Sequence, residues 1–326
     1  MNLEEFKEEF NGFASNAIPF LFLIDFEMKK PFLCRLANVP GENILYDVNG
    51  KTNFKKEKSS RGLTTFNRIP VRFEEYLEAY SAVMHHINRG DTYLVNLTFP
   101  TSLELNLSLD ELFHISPAPY RLYFKDEFVV FSPECFVKIS EDHIFSYPMK
   151  GTLDASLPGA EEELLQSEKE LYEHNTIVDL IRNDLSISAE EVEVTKFRYL
   201  DRIKTNQGDL LQVSSEIRGR LHKNYRRNLA DIILKMLPAG SVSGAPKHKT
   251  VEIIRNAEKS ERGYYTGIFG IYDGISLDSA VNIRYIERNG NGLQFRSGGG
   301  ITALSNAEAE YNEMLEKVYV PFAGND

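Results

Sequence analysis

Two hairpin dipeptides in the last third of the chain constrain its fold most strongly. Asp273-Gly274 and Asn289-Gly290 separate apolar-rich runs at residues 266–272, 276–287 and 292–296. Asp-Gly and Asn-Gly favour the two-residue turns that join antiparallel strands, because the central residues of such turns need positive φ angles. The pattern therefore predicts an antiparallel meander in this part of the chain.

The rest of the chain alternates strand-like runs with helical patterns. We predict strands at residues 19–25, 31–36, 43–48, 92–99, 120–124, 127–131 and 135–140. Residues 51–61 read as a polar loop, and an amphipathic helix is predicted over residues 73–88, with Gly90 able to cap it. Leucine and valine recur every seven residues within 160–185, which is helical periodicity. Many hairpin-joined strands with helices between them indicate the α+β class with large antiparallel sheets.

A final helix is predicted after the triple glycine at residues 298–300. It would start near Ser305, which has the capping-box spacing to Glu308. The 326 residues, 42% of them hydrophobic, suffice for one sizeable core. We therefore expect a single domain over residues 1–326, with a short strand-rich part at 1–70 and the main catalytic part at 71–326.

The charge pattern bears on partners and compartment. The apolar run at residues 17–24 is too short to span a bilayer, and the first residues are acidic where a signal peptide would be basic. Cys34 and Cys135 have no metal-binding spacing, which suits a reducing compartment. We expect a cytoplasmic protein. A net charge of −11 argues against nucleic acid and membrane partners, and it means that any anionic substrate needs local cations.

Two pairs of glutamates are candidate metal ligands. Glu170-x-x-Glu173 and Glu310-x-x-Glu313 each place two carboxylates on one face of a predicted helix. Carboxylates without cysteine suit a hard ion such as Mg²⁺. Solvated helix faces are the simpler interpretation of either pair alone. A di-iron site is disfavoured because it needs Glu-x-x-His, whereas His174 directly follows Glu173.

Three other features could carry chemistry. Lys150 lies in Pro148-Met149-Lys150-Gly151-Thr152, although most lysines are surface charges. The small-residue loop at 238–247, which includes Ser243 and Gly244, would let backbone N–H groups approach an anion, but it also fits an ordinary tight turn. Arg284 sits in an apolar strand pattern and must either reach solvent or pair with an anion.

Taken in order, these segments resemble the chorismate-utilising enzymes: anthranilate synthase component I, aminodeoxychorismate synthase component I, isochorismate synthase and salicylate synthase. The resemblance covers roughly residues 80–320. Its motifs are Gly90-Asp91-Thr92-Tyr93 with Val95-Asn96-Leu97, Ser132-Pro133-Glu134, Pro148 to Thr152, Glu173 to Leu180 with Arg182-Asn183-Asp184, Ser243 to Lys247, Arg262 to Gly267, and Gly298 to Glu313.

The resemblance implies a fold and a site. The fold would be two large facing antiparallel sheets wrapped by helices, as in anthranilate synthase component I, with a cleft between them. Mg²⁺, held by Glu173 and Glu313 with Glu170 and Glu310 nearby, would bind the ring carboxylate of chorismate. The residues implied in substrate binding are Arg284, Tyr265 and the backbone of Gly298, with Gly299, Ser243 and Gly244 beside them.

Lys150 distinguishes among the reactions of the family. Anthranilate synthases generally carry alanine at this position, whereas lysine-type aminodeoxychorismate synthases carry lysine. The resemblance therefore implies that Lys150 adds to C2 of chorismate and expels the 4-hydroxyl, and that ammonia then adds at C4 and expels the lysine. Leu94 stands where isochorismate and salicylate synthases carry a basic lysine. The Leu-Leu-Glu-Ser string of tryptophan-regulated anthranilate synthases is also missing.

Some positions depart from the family pattern. Leu94 replaces an expected glutamine, Leu211 a histidine near the substrate ring, and Cys135 an arginine. The loss of that histidine leaves open which group protonates the departing hydroxyl; Thr152 or a water molecule is a candidate.

The amine donor would be ammonia from a partner. Neither cysteine lies on the G-x-C-x-G elbow of a class I glutaminase, so we expect a separate class I glutamine amidotransferase subunit. The predicted product is 4-amino-4-deoxychorismate, for p-aminobenzoate and folate synthesis. Two alternatives stay open: anthranilate synthase component I, and a non-catalytic chorismate-binding subunit.

Overall fold

A computed structural model describes residues 1–55, 62–205 and 208–321, without the side chains of residues 150, 152, 163, 168–170 and 203–210. The helices are α1 (Leu3–Ser15), α2 (Phe73–Asn88), α3 (Leu109–Ile115), α4 (Ala160–Gln166), α5 (Glu168–Ser186), α6 (Leu229–Lys235), α7 (Lys247–Glu258) and α8 (Ala307–Glu316). The strands are β1 (Phe20–Ile24), β2 (Phe32–Arg35), β3 (Ile44–Val48), β4 (Lys51–Thr52), β5 (Phe66–Ile69), β6 (Leu94–Leu105), β7 (Tyr120–Phe124), β8 (Phe128–Ser132), β9 (Cys135–Ser140), β10 (His143–Ser146), β11 (Met149–Asp154), β12 (Glu190–Thr205), β13 (Gly208–Arg220), β14 (Gly244–Ala245), β15 (Ile268–Tyr272), β16 (Leu277–Val281), β17 (Tyr285–Asn289) and β18 (Gly292–Ile301).

The strands form two nine-stranded sheets. Sheet A has the order β11-β13-β10-β9-β16-β15-β1-β2, and β12 also pairs with β13. Sheet B has the order β14-β6-β18-β17-β8-β7-β3-β4, and β5 also pairs with β6. The pairs within both sheets are antiparallel, for example β1 with β15 and β6 with β18. The predicted α+β class with large antiparallel sheets is confirmed.

The two sheets face each other across a shared apolar core. Leu21 and Phe269 of sheet A pack in one buried cluster with Ile44, Leu122 and Val130 of sheet B. Every residue of β1, β7, β8 and β15 is buried, because one face of each strand meets the opposite sheet and the other face meets a helix or loop. This arrangement explains why these strands read as continuous apolar runs.

Helices cover the outer faces of both sheets. Helices α1 and α6 pack on sheet A, and helices α2, α7 and α8 pack on strands β6 and β18 of sheet B. Helix α2 has the predicted bounds, and Gly90 follows it with a φ of +79°. No helix in the described residues is long and apolar enough to cross a membrane.

The predicted strand over residues 276–287 is wrong. The segment forms two strands in different sheets, β16 in sheet A and β17 in sheet B, and the chain crosses between the sheets at Asn282, Ile283 and Arg284. Arg284 therefore lies outside the strands, with a left-handed φ of +52°. The residues next to the crossing, at the end of β16 and the start of β17, are buried, so hydrophobicity alone does not mark the crossing.

Other boundaries also differ from the sequence prediction. The N-terminal part contains helix α1, whose capping box joins Asn2 and Glu5 and whose phenylalanines face the core. Helix α8 starts at Ala307, capped by the Asn306 side chain rather than by Ser305. The helical pattern over 160–185 is two helices, α4 and α5. The predicted loop at 51–61 includes β4, and its residues 56–61 lie outside the described part.

Candidate active site

A cavity of about 440 Å³ lies between the sheets, within the size range of small-molecule sites. Its wall is built by β6, β11, α5, the 240–244 segment, β18 and α8. The residues considered below that line it are Leu94, Glu134, Met149, Gly151, Glu173, Gln212, Ser241, Ser243, Gly244, Tyr265, Arg284, Arg296, Gly298, Gly300, Glu310, Glu313 and Lys317. Most of the predicted site residues with described side chains thus converge, although they are far apart in the chain.

Two helices present carboxylates to this cavity. Glu173 of α5 is half-buried and lines it, while the neighbouring His174 is buried, with its Nε2 2.7 Å from Ser215 Oγ. Glu310 of α8 is buried and accepts a hydrogen bond of 2.8 Å from Ser305 Oγ. Glu313, which is exposed, forms an ion pair of 2.8 Å with Lys317. The side chain of Glu170 lies outside the described part of the structure.

These carboxylates supply only oxygen donors, which is the chemistry that Mg²⁺ prefers. Among the described residues, no three His, Cys, Asp or Glu side chains are arranged as a metal site. Glu313 would have to exchange its ion pair with Lys317 to act as a ligand. The donor types thus fit a hard divalent ion, and Mg²⁺ stays a prediction.

Cations also line the cavity. Arg296 is buried and paired with Glu287, with Nε 3.1 Å from Oε1. The guanidinium of Arg284 has no ion pair with any described residue, and its buried Nε has no hydrogen-bond partner there. Tyr265 is buried nearby, and this burial raises the pKa of its hydroxyl to about 12. The phenol therefore stays protonated, and able to donate a hydrogen bond, well above neutral pH.

The triple glycine lies within β18, opposite Asn96, Leu97 and Thr98 of β6. A Cβ on Gly298 would lie 2.3 Å from Leu97 O, so only glycine fits there. Gly298 and Gly300 line the cavity, whereas Gly299, predicted to bind substrate, does not. A Cβ on Gly299 would lie 3.2 Å from Glu310 Oε2 and 3.9 Å from Lys317 Nζ, and both of these residues line the cavity. The role of Gly299 in substrate binding therefore stays a prediction.

Ser243 and Gly244 form another part of the wall. Ser243 is fully buried, and its hydroxyl donates to Ala239 O at 2.8 Å, so that hydroxyl is already engaged. Gly244 begins the short strand β14, opposite Val95. Its φ is +135°, and a Cβ would lie 2.0 Å from Leu94 O. This backbone is thus pressed against β6, which holds the loop at the cavity.

Replacing Gly244 by alanine should destabilise the protein by roughly 2–4 kcal/mol, because the added methyl group meets backbone and the φ is strained for an L-residue. Thermal unfolding followed by circular dichroism would show a lower Tm. Gly292→Ala is the matched control, since its nearest neighbour to the added atom lies at 3.7 Å. Equal Tm values for the two variants would contradict this interpretation.

A buried arginine joins the elements around the loop. Arg262 pairs with Glu258 of α7, with Nη2 2.6 Å from Oε1, and donates to Val242 O and Asn96 O, both at 2.7 Å. Glu258 in turn accepts from the backbone and hydroxyl of Thr98. Arg262 therefore ties helix α7 to the loop and to β6, a structural role that the sequence analysis did not assign.

Strand β11 carries Lys150 along the cavity wall. The Lys150 backbone pairs with Val213, and the register is irregular between Lys150 and Thr152, where Gly151 has a φ of +71°. Met149 and Gly151 line the cavity. The side chains of Lys150 and Thr152 lie outside the described part.

Sequence reasoning missed several residues of the wall. Glu134 lines the cavity and accepts a short hydrogen bond from Ser241 Oγ. Lys317 lies one helical turn beyond Glu313 and donates to Gly298 O at 2.9 Å. Glu134 ends the Ser132-Pro133-Glu134 motif, and Lys317 has i,i+4 spacing from Glu313, so both had a sequence signal.

The unusual leucines have different surroundings. Leu211 is buried with Leu164 and Val213 and does not line the cavity, whereas the next residue of β13, Gln212, does. This alternation is that of a β-strand. Leu94, in contrast, lines the cavity and contributes an apolar surface.

Comparison with known proteins gives the family. The family model described as chorismate binding enzyme matches residues 37–322. The chain is 52% identical over 324 residues to an "Uncharacterized PabA-like protein" of Haemophilus influenzae, covering 99% of this chain and 98% of that protein. It is 29% identical over 266 residues to aminodeoxychorismate synthase component 1 of Bacillus subtilis, covering 77% of this chain and 55% of that protein.

A solved structure agrees with this assignment. Anthranilate synthase component I from Streptococcus pneumoniae superimposes with a TM-score of 0.67 and 26% identity, covering 78% of this chain and 59% of that chain. The chain thus spans a little over half the length of these two synthases. The anthranilate synthase component I-like fold is confirmed, and the chain belongs to the chorismate-binding enzyme family.

Proposed function

We propose that this chain is an aminodeoxychorismate synthase component I, which converts chorismate and ammonia to 4-amino-4-deoxychorismate. The observation that carries the proposal is Lys150 itself, in a segment of a chorismate-binding enzyme that passes the cavity, with Met149 and Gly151 in the cavity wall. The strand register is irregular between Lys150 and Thr152, so simple strand alternation does not assign the side of residue 150. The named relative from Bacillus subtilis supports it. Sequence identity alone does not separate this reaction from anthranilate synthesis. The chain is 29% identical to the aminodeoxychorismate synthase component 1 of Bacillus subtilis and 26% identical to the anthranilate synthase component I of Streptococcus pneumoniae.

The proposed chemistry splits one substitution into two. The neutral amine of Lys150 forms a bond to C2 and loses a proton, both double bonds of the ring diene shift by one position, and the C4 hydroxyl leaves as water after it takes up a proton. Ammonia then bonds to C4 and loses a proton, both ring double bonds shift back, and the C2–N bond breaks as the lysine nitrogen takes up a proton. The net change is chorismate plus ammonia to 4-amino-4-deoxychorismate plus water.

The rest of the cavity would bind the two carboxylates of the substrate. Arg284 and the Tyr265 hydroxyl, with the backbone of Gly298, are the proposed partners of the enolpyruvyl carboxylate. Glu173 and Glu313 would hold Mg²⁺, which when bound neutralises the ring carboxylate. An acidic protein can in this way bind a dianion by concentrating cations at one place.

Glu134 is the proposed proton donor for the departing hydroxyl. It lines the cavity beside Ser241, on the strand connection β8–β9, whereas Leu211 is packed away from the cavity. A carboxylic acid within reach of the leaving oxygen supplies general acid catalysis. Thr152 and a water molecule are the alternative candidates for that role.

Glu134→Gln should lower kcat by roughly 10²–10⁴-fold, the usual contribution of a general acid, and should change the binding of chorismate little. Product formation is measured by liquid chromatography with mass spectrometry, and binding by calorimetry. Glu104→Gln, which changes an exposed glutamate of β6, is the control and should leave kcat unchanged. A Glu134→Gln variant with wild-type kcat would exclude the role.

The ammonia source is proposed to be a separate class I glutamine amidotransferase subunit. A glutaminase nucleophile needs an activated thiolate, whereas burial raises the pKa of the Cys135 thiol to about 12 and also raises that of Cys34. Neither cysteine lines the cavity described above. The PabA-like name of the relative from Haemophilus influenzae is consistent with a link to such a system.

The reaction is tested by incubating the purified protein with chorismate, Mg²⁺ and ammonium at alkaline pH and identifying the products by mass spectrometry. Formation of 4-amino-4-deoxychorismate supports the proposal. Anthranilate or isochorismate as the product would assign the chain to another reaction of the family. Chorismate binding without turnover, also with an added glutaminase, would favour a non-catalytic binding subunit.

A further inference from the structure

The cations that line the cavity differ in how they are held. Arg296 is held by Glu287 and Lys317 by Glu313. The guanidinium of Arg284, in contrast, has no carboxylate partner among the described residues. An arginine side chain with four rotatable bonds loses about 2 kcal/mol of rotamer freedom when it is fixed. Arg284 therefore needs some other contact if it is to be oriented before a ligand arrives.

That contact is an aromatic ring. The guanidinium carbon of Arg284 lies 4.8 Å from the ring centroid of Tyr319, which follows helix α8. This distance is within the range of a cation–π interaction. Tyr319 does not line the cavity, so its ring contacts Arg284 from outside the cavity.

The backbone around Tyr319 is firmly anchored. Val318 and Val320, on either side, are 1% and 4% exposed and pack into the apolar core of sheet B, whereas the Tyr319 side chain is 46% exposed. Arg68 donates a hydrogen bond to Val318 O. The ring of Tyr319 is thus placed by its neighbours, and its contact with Arg284 is not a by-product of core packing.

We propose that Tyr319 is a positioning residue that holds the guanidinium of Arg284 toward the carboxylate of the substrate. A carboxylate in its place would occupy the N–H donors of the arginine and compete with the substrate. An aromatic face orients the cation without taking those donors, so the anion meets an arginine that is both ordered and unpaired. This inference rests on the proposed role of Arg284 in the proposed function.

The test compares Tyr319→Leu with Tyr319→Phe. Leucine keeps apolar bulk but removes the ring, whereas phenylalanine keeps the ring. Tyr319→Leu should weaken chorismate binding by roughly three- to tenfold, the range of a partly exposed cation–π contact. It should raise KM without lowering kcat, since the contact orders a binding group. Tyr319→Phe should bind as the wild type does, and both variants should keep the wild-type Tm.

A double-variant comparison identifies the route of the effect. In the Arg284→Gln background, Tyr319→Leu should cause no further loss of chorismate binding, because the cation that the ring holds is gone. Binding is measured by calorimetry with Mg²⁺ present, so the result does not depend on which product forms. Unchanged binding in Tyr319→Leu, or an equal loss with and without Arg284, would overturn the inference. Unchanged chorismate binding in Arg284→Gln would overturn the premise that Arg284 binds the substrate. If the binding losses are as expected but the protein forms no 4-amino-4-deoxychorismate, only the proposed function is overturned.

Discussion

Lys150→Ala is expected to lower the formation of 4-amino-4-deoxychorismate by roughly a thousandfold or more, because the two-step substitution loses its nucleophile. Chorismate binding should change little, since the carboxylates of the substrate are bound elsewhere in the cavity. In the absence of ammonia, the wild-type protein should gain the mass of chorismate less one water, and the variant should not. Intact-protein mass spectrometry and product analysis measure the two effects.

Lys138→Ala is the matched control for this substitution. Lys138 lies on β9, also in sheet A, where it pairs with Asp278 at 3.4 Å and does not line the cavity. Its loss should leave turnover within about twofold of wild type, the weak effect of a half-exposed ion pair. A Lys150→Ala protein that forms the product at the wild-type rate would rule out covalent catalysis at this position.

Glu173→Gln is expected to lower turnover by roughly a hundredfold or more and to weaken Mg²⁺ binding, as does the loss of one charged ligand at a carboxylate site. Chelation with EDTA should abolish the activity of the wild-type protein, and added Mg²⁺ should restore it. The physical reason is charge: Glu173, Glu310 and Glu313 line the cavity, and they repel a carboxylate of the substrate unless a cation binds between them. Calorimetry with Mg²⁺ alone gives a readout that is independent of turnover.

Asp179→Asn serves as the control on the same helix. Asp179 is exposed and pairs with Arg182 at 2.6 Å on the surface, so it should affect neither Mg²⁺ binding nor turnover. If the EDTA-treated protein keeps its full activity, or if Asp179→Asn and Glu173→Gln are equally impaired, the proposed metal site is wrong.

Much of the fold is decided by local patterns in the sequence. Helix α2 and strands β7 and β9 have the predicted bounds, because amphipathic periodicity and apolar runs between turn residues are local signals. Helix α1 was missed in a part of the chain that reads as strands. The long hairpin of β12 and β13 was also missed, because many of its residues are charged.

For the site, the order of the sequence motifs identified most of the residues that line the cavity. It did not identify the contacts that those residues make. Glu173, Glu310, Glu313, Tyr265, Arg284 and Gly298 were predicted and line one cavity, whereas Gly299 lies next to two residues of the wall without lining it. Glu134 and Lys317 were present in quoted or adjacent motifs, but nothing in one sequence tells which motif residue faces a cavity. That depends on strand register and helix rotation, which tertiary packing fixes.

The sequence by itself therefore determined the α+β class, the family and the segments that meet at the site. The tertiary structure alone decided where the chain crosses from sheet A to sheet B, and hence that Arg284 stands outside both strands with a left-handed φ of +52°. It also placed the ring of Tyr319 against the guanidinium of that arginine. The reason is physical: strand and helix patterns act over a few neighbouring residues, whereas these contacts join residues that only the packing of the two sheets brings together.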